Sequence, residues 1–126
     1  MLDSYDVIAF VPAADLDRAS VFYEQVLGLP ITERTDFACV FNAHGTMLRV
    51  TAVPRVAQPG YTVLGWSVPD ITAAVRDLSA KGVAFLRYDM MDQDEDGIWN
   101  SQGGSVAWFT DPEGNTLSLT QFPRPA

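Results

Sequence analysis

The sequence predicts an α+β fold: two βαβββ modules paired into one curved mixed sheet, with helices on the convex face and a concave ligand cavity. Three observations predict it. A strand, a helix and then further strands follow one another in that order twice. The copies keep register, since Asp70-Ile71 follows Asp15-Leu16 by 55 positions and Gly114 of "EGNTLSL" follows Gly45 of "HGTMLRV" by 69. Neither copy carries enough helix to cover both faces of its own sheet, so pairing leaves one face free.

"DVIAFV", Asp6 to Val11, is rich in β-formers and predicts the first strand, ended by Pro12, which cannot donate to a ladder. In "AADLDRASVFYEQVLGL" the residues Leu16, Ala19, Phe22, Tyr23, Val26 and Leu27 recur at helical spacing. With Asp15 as N-cap and Gly28 as the stop, they predict a helix from about Leu16 to Leu27. Strands follow at Pro30 to Arg34, Phe37 to Asn42 and Thr46 to Val53, the last two joined by the turn "NAHG". "RVAQPGY" reads as a linker, after which the order restarts. It runs through a strand from Thr62 to Val68, an Asp70 N-cap, the helix "ITAAVRDLSAKG" and the strand "VAFLRY", and closes with strands at Ser105 to Phe109 and Asn115 to Gln121. The result is a single domain over residues 1–126, with module one at about 4–54 and module two at about 61–122. The second copy is longer by 69 − 55 = 14 residues, which places an insertion around "YDMMDQDEDGIWNSQGG".

With 126 residues, 48% hydrophobic and 11% aromatic, the chain suits one buried core. The start "MLDSYD" has no basic region, and the apolar run Val7 to Ala14 is broken by Pro12 and far shorter than the ~20 residues of a membrane span. A soluble cytoplasmic protein is expected. The single cysteine, Cys39, excludes an internal disulfide framework and a cysteine-cluster zinc site, and is expected as a small buried hydrophobe. Eight basic against sixteen acidic residues leave a net charge of −8. Such a chain repels phosphate backbones and anionic membrane surfaces over a Debye length of ~8 Å, so neither nucleic acid nor membrane is an expected partner.

Three stretches, "DLDRASVFYEQVLGLPI", "VPDITAAVRDLSAKGV" and above all the closing "WFTDPEGNTLSLTQF", resemble the vicinal oxygen chelate superfamily. That superfamily includes glyoxalases, extradiol dioxygenases, fosfomycin-resistance enzymes and the bleomycin-resistance binding proteins. The resemblance covers nearly the whole chain and implies four strand positions that hold metal ligands in metal-dependent relatives. Here those positions read Asp6 (or Val7, one residue on), Arg49, Val63 and Ser118. A divalent cation needs several oxygen or nitrogen donors at ~2.0–2.6 Å. Val63 donates nothing, a neutral Ser118 is a poor ligand, and Arg49 brings a permanent positive charge. Only Asp6 can ligate, so no divalent metal cofactor is expected.

Arg49 has two readings. It forms a structural ion pair with Asp6 in place of the metal, or it clamps an anionic group of a ligand. In period-2 register the cavity rows are Asp6, Ile8 and Phe10; Met47, Arg49 and Thr51; Val63, Gly65 and Ser67; and Thr116, Ser118 and Thr120, with Trp66 facing the helices. An apolar cavity with a few hydrogen-bonding groups suits a small organic molecule. The expected ligand-binding residues are Asp6, Ile8, Phe10, Met47, Arg49, Val63, Trp99 and Ser118.

The insertion carries Met90, Met91, Ile98 and Trp99 beside its acids and reads as a binding lid, or else Trp99 packs as core or subunit interface. Its Asp92, Asp94, Asp96 and Gly97 match the start of a calcium-loop pattern, but Gly103 stands where the closing glutamate belongs, so a solvated acidic loop is expected. His44, the only histidine, sits in the "NAHG" turn, which rules out a Ser-His-Asp or Cys-His arrangement within the chain.

The resemblance then implies metal-independent binding of a small hydrophobic or aromatic molecule by sequestration, as in bleomycin-resistance proteins, in a homodimer as in many relatives. The alternative is a glyoxalase-type lyase or isomerase, or a dioxygenase-related enzyme, with an atypical site. There Asp6 would act as general base and Arg49 would stabilise developing negative charge. An interaction module without a ligand is the third reading.

Overall fold

In the computed structural model, which describes residues 1–124, the chain forms two compact units. One is Met1–Gln58 with Asp111–Asn115; the other is Pro59–Thr110 with the residues from Thr116 on. Each is a βαβββ-like module on a four-stranded mixed sheet, the α+β class that the repeated strand and helix order predicts.

The first unit contains β1 (Ile8–Ala13), α1 (Leu16–Val21), β2 (Ile31–Arg34), β3 (Ala38–Ala43) and β4 (Thr46–Ala52), in the sheet order β1-β4-β3-β2. β1 runs parallel to β4 and the other pairs are antiparallel. Contrary to expectation, β1 does not end at Pro12 but continues to Ala13, with Pro12 in register with Thr51. β1 is the edge of this sheet, where a residue without an N–H is tolerated because one side of the strand needs no donor.

Asp15 caps α1, its carboxylate accepting from the Arg18 N–H at 3.0 Å. The helix expected through Leu27 changes character on the way. From Phe22 to Val26 it widens to a π-turn, and the Leu27 N–H reaches back five residues to the Phe22 carbonyl at 3.0 Å. β3 and β4 are joined by His44 (φ 51°) and Gly45 (φ 91°), a two-residue hairpin turn of the left-handed kind that matches strand twist. Val11, Phe41, Leu48, Val50, Ala19 and Tyr23 are buried as one core, and Cys39 lies in it as expected.

The second unit contains β5 (Thr62–Ser67), α2 (Ile71–Ala80), β6 (Trp99–Ser101), β7 (Gly104–Thr110) and β8 (Thr116–Gln121), in the order β5-β8-β7-β6, the same topology as the first. Asp70 caps α2 through the Ala73 N–H at 3.1 Å. One expected strand is corrected: Val83–Tyr88 is not a strand. Only Phe85 bridges to Phe109, and the Leu86 N–H donates to the Trp108 carbonyl at 2.7 Å. The strand that completes the sheet is Trp99–Ser101, from inside the stretch read as insertion, with Trp99 opposite Val106. β7 is long enough to serve both partners, so its edge is shared by two short segments and the chain leaves the sheet between them. Ile71, Val75, Ile98, Ala107, Phe109, Leu117 and Leu119 form the core of this unit. Among the described residues no helix is long and apolar enough to cross a membrane.

Candidate functional site

In the first unit, alternation along β1 and β4 separates a buried row from an open one, while Ala38–Phe41 of β3 is buried throughout. Val11, Leu48 and Val50 are buried, while Ile8, Phe10 and Met47 are 45%, 61% and 43% exposed. The register pairs Ile8 with Met47 and Phe10 with Arg49, so these four predicted residues share the open face. On the other side of Arg49 the register partner is Val40. Arg49 therefore sits on the interior strand β4 between two apolar neighbours, half-buried.

Asp6 does not join them. Parity would put it on the open face and Val7 on the other, but β1 begins at Ile8, and Asp6 lies exposed ahead of the strand where no ladder orients it. The Asp6–Arg49 ion pair does not form. Among the described residues Arg18, Arg34, Arg76 and Lys81 each have a carboxylate within 4.0 Å, and Arg49 has none.

In the second unit Ser118 is buried on β8, with Gly65 opposite on β5 and Trp108 opposite on β7. A β-carbon at residue 65 would stand 2.8 Å from Ser118 Oγ, so glycine there is what lets the two strands carry a hydroxyl between them. The Trp108 ring meets Tyr88 edge-on at 5.5 Å between centroids and Trp99 at 6.4 Å and 38°. Trp99 pairs with Val106, two positions from Trp108, so Trp99, Trp108 and Ser118 share one face. Sequence reasoning placed Ser118 on this face, read Trp99 as a loop lid or as core or subunit interface, and left Trp108 and Tyr88 out of the site. Hairpin register across the "DPEGN" turn was the available signal for Trp108, since it sets residue 108 against 118. Val63 falls at a register shift between Thr62 and Leu64 and is 37% exposed.

The inserted loop is built on its own polar groups. Gln93 Oε1 accepts from the Tyr88 N–H at 2.7 Å, and Gln93 Nε2 donates to the carbonyls of Leu86 and Gly97 at 2.9 and 2.8 Å. Asp94 Oδ1 accepts from the N–H groups of Asp96 and Ile98, both at 2.9 Å. Arg87 donates to the carbonyls of Asp94 and Glu95, and Asp96 pairs with Arg76 at 3.2 Å. The Asp94 and Asp96 carboxylates are thus engaged in folding the loop. The lid reading is corrected. Trp99 belongs to β6 and Ile98 to the core, while Met90 is 98% exposed.

The residues at the four family metal positions do not fit a divalent cation: a guanidinium, an apolar side chain at a bulge, one hydroxyl wedged over Gly65, and a carboxylate outside its strand. Among the described residues no three His, Cys, Asp or Glu side chains are grouped to hold a metal ion.

The "DPEGN" turn, the most family-specific stretch, is structural. Asp111 Oδ1 accepts from the N–H groups of Glu113 and Asn115, both at 2.9 Å. Its Oδ2 accepts from Tyr23 Oη at 2.7 Å and Asn115 Nδ2 at 2.8 Å. Burial, reinforced by the Asp111 charge and hydrogen bond, pushes the Tyr23 hydroxyl far above its ordinary value. Burial also pushes the Glu113 carboxyl up, but the N–H groups of Asp15 and Ala14 and the Arg18 guanidinium outweigh it and hold Glu113 below the usual carboxylate range. A cavity of about 230 Å³ in the first unit, lined by Thr32, Phe41, Asn42, Gly45, Thr46 and Met47, shares only Met47 with the predicted row.

A family model described as the Glyoxalase/Bleomycin resistance protein/Dioxygenase superfamily matches residues 5–119. No curated protein sequence matches the chain. Among solved structures, TnmS3, an antibiotic binding protein from Streptomyces sp. CB03234, is 22% identical with a TM-score of 0.75 over 98% of this chain and 99% of that one. UcmS2 is 18% identical with a TM-score of 0.73 over 93% and 97%. A bleomycin resistance determinant encoded on the transposon Tn5 is 20% identical with a TM-score of 0.73 over 96% and 100%. At these identities the likeness is one of fold.

Proposed function

The chain belongs to the Glyoxalase/Bleomycin resistance protein/Dioxygenase superfamily, and from that premise we propose that it binds a small hydrophobic or aromatic molecule without a metal ion and acts by sequestering it. The observation that carries this reading is the open face of the first sheet, where Ile8, Phe10 and Met47 stay exposed side by side while the other face is buried. Covering such a face releases about 25 cal/mol for each Å² of apolar surface removed from water, which is what a ligand supplies. The second sheet sets Trp99, Trp108 and the buried Ser118 in one register, a second aromatic row with one hydroxyl.

Two further points support binding over turnover. A general base has to be held within ~2.6–3.2 Å of the proton it takes, and Asp6 lies exposed outside any strand or helix that would aim it. TnmS3 is an antibiotic binding protein by its name, and the Tn5 protein is a bleomycin resistance determinant. Both favour a natural product of drug size as the ligand class. A homodimer belongs to the same proposal and is read by sedimentation.

The test is a fluorescence titration with N-phenyl-1-naphthylamine, a neutral dye of two aromatic systems. Saturable binding is expected, weakened about tenfold by Phe10→Ala, the loss of ~1.4 kcal/mol that truncating one apolar anchor typically brings. Overnight dialysis against EDTA should leave the affinity where it was. Absence of saturable binding, or its disappearance with the chelator, refutes the proposal.

A further inference from the structure

We infer that Arg49 makes the open face of the first sheet selective for an oxyanion, so that its ligand is an amphipathic anion: an apolar ring body carrying a carboxylate or sulfonate-like group. This rests on the binding reading above and narrows its ligand class.

A guanidinium stays charged at every physiological pH, and holding it half-buried beside apolar groups is costly unless an opposite charge meets it. Arg49 has that environment. Its register neighbours are Phe10 on β1 and Val40 on β3, and Met47 and Thr51 flank it on β4. Partners are not scarce in this chain, which carries sixteen acids against eight bases. Arg18, Arg34, Arg76 and Lys81 each have a carboxylate at 2.8–3.8 Å, and the Arg87 guanidinium is taken up by two carbonyls at 2.7 and 2.8 Å. Arg49 has no carboxylate within 4.0 Å among the described residues, and Asp6, the acid that parity assigns to its face, lies ahead of the strand and does not reach it.

An unmatched guanidinium on a sheet floor presents a planar fork suited to two parallel hydrogen bonds with one carboxylate-like group. The exposed Phe10, Ile8 and Met47 beside it supply the surface for the ligand's ring. The net charge of −8 opposes an anion at a distance, but that repulsion is screened beyond ~8 Å, whereas the fork acts at contact. The short-range term decides selectivity.

The experiment pairs two dyes that share a ring system, the anionic 8-anilinonaphthalene-1-sulfonate and the neutral N-phenyl-1-naphthylamine. The wild-type chain is expected to bind the sulfonate about tenfold more tightly. Arg49→Met should erase that preference by weakening the sulfonate about tenfold more than the neutral dye, and Arg49→Lys should keep part of it. In ¹⁵N spectra the Arg49 Nε–H signal should shift with the sulfonate and stay in place with the neutral dye, a readout that also serves if Arg49→Met fails to fold by circular dichroism.

A preference that survives Arg49→Met overturns the inference, as does equal weakening of both dyes. Neutral-dye binding without discrimination sinks this inference alone, and failure of both dyes to bind sinks the binding reading with it. If Arg49→Met changes the sedimentation coefficient while both dye affinities hold, a second copy of the chain occupies the face and the inference is wrong.

Discussion

Ser118 Oγ stands directly over Gly65: a β-carbon on residue 65 would lie 2.8 Å from that oxygen and 3.3 Å from the Ser118 carbonyl oxygen. Gly65→Ala is therefore expected to destabilise the protein by about 1–3 kcal/mol, the usual cost of overpacking between strands. Because the nearer clash is with the hydroxyl, adding Ser118→Ala should recover at least ~0.5 kcal/mol of that loss, the carbonyl contact keeping the rescue partial. Urea melts of the two single variants and the double variant measure the coupling. Strictly additive losses would show that the hydroxyl is not what excludes a side chain at residue 65.

Tyr23 lies fully buried in the π-turn and donates its hydroxyl to Asp111 at 2.7 Å. Tyr23→Phe keeps the ring against Phe41 but removes one of the two donors to Asp111 Oδ2, leaving Asn115 Nδ2. A buried carboxylate that loses a donor costs about 1–3 kcal/mol. The urea midpoint should fall by that free energy divided by the slope m, with the slope itself unchanged, since the fold and its buried area are preserved. An unchanged midpoint would mean that Asp111 replaces the donor at no cost.

These two sites differ in how readable they were. The repeated Asp15-Leu16 and Asp70-Ile71 caps were legible because a capping side chain is a local device, and both caps form. Which face Ile8, Phe10 and Met47 occupy was legible too, since alternation depends only on parity. Where a strand begins is set by its partner's length, so parity overreached at Asp6, which β1 does not include. The strand-like pattern of Val83–Tyr88 failed for a related reason. Its propensity is real, but β7 gives Gly104–Val106 to Trp99–Ser101 and only Phe109 to Phe85, and propensity carries no information about that competition. The Tyr23–Asp111 bond joins residues 88 apart in sequence, and no periodicity points to it.

Gln93 holds the inserted loop with one acceptor bond from Tyr88 and two donor bonds to Leu86 and Gly97. Gln93→Ala removes all three and leaves two carbonyls and one N–H to find water, so local opening should become easier by about 1–3 kcal/mol. Hydrogen exchange should lose roughly 10–100-fold protection at the Tyr88, Asp94 and Gly97 amides, with the β8 amides changing less. Loss spread evenly over the chain would show that the loop is not an independent unit of stability.

Glu113 gives the pH dependence. Its folded-state carboxyl lies below its ordinary value, so it contributes stability that is fully present above the unfolded value of ~4.3 and is lost as pH falls through the folded one. The stability gap between the wild-type chain and Glu113→Gln should accordingly be constant above about pH 5 and close as the pH falls below the unfolded value. The source of the depression matters for a second measurement. Arg18 is 56% exposed and 3.4 Å away, whereas the Asp15 N–H bond is 2.9 Å long and reaches a side chain that is only 4% exposed. Surface ion pairs fade with salt and buried backbone bonds do not, so the gap at pH 7 should survive 0.5 M sodium chloride nearly intact. Curves that stay parallel through the whole acid range would contradict the depressed carboxyl, and a gap that vanishes with salt would reassign it to Arg18.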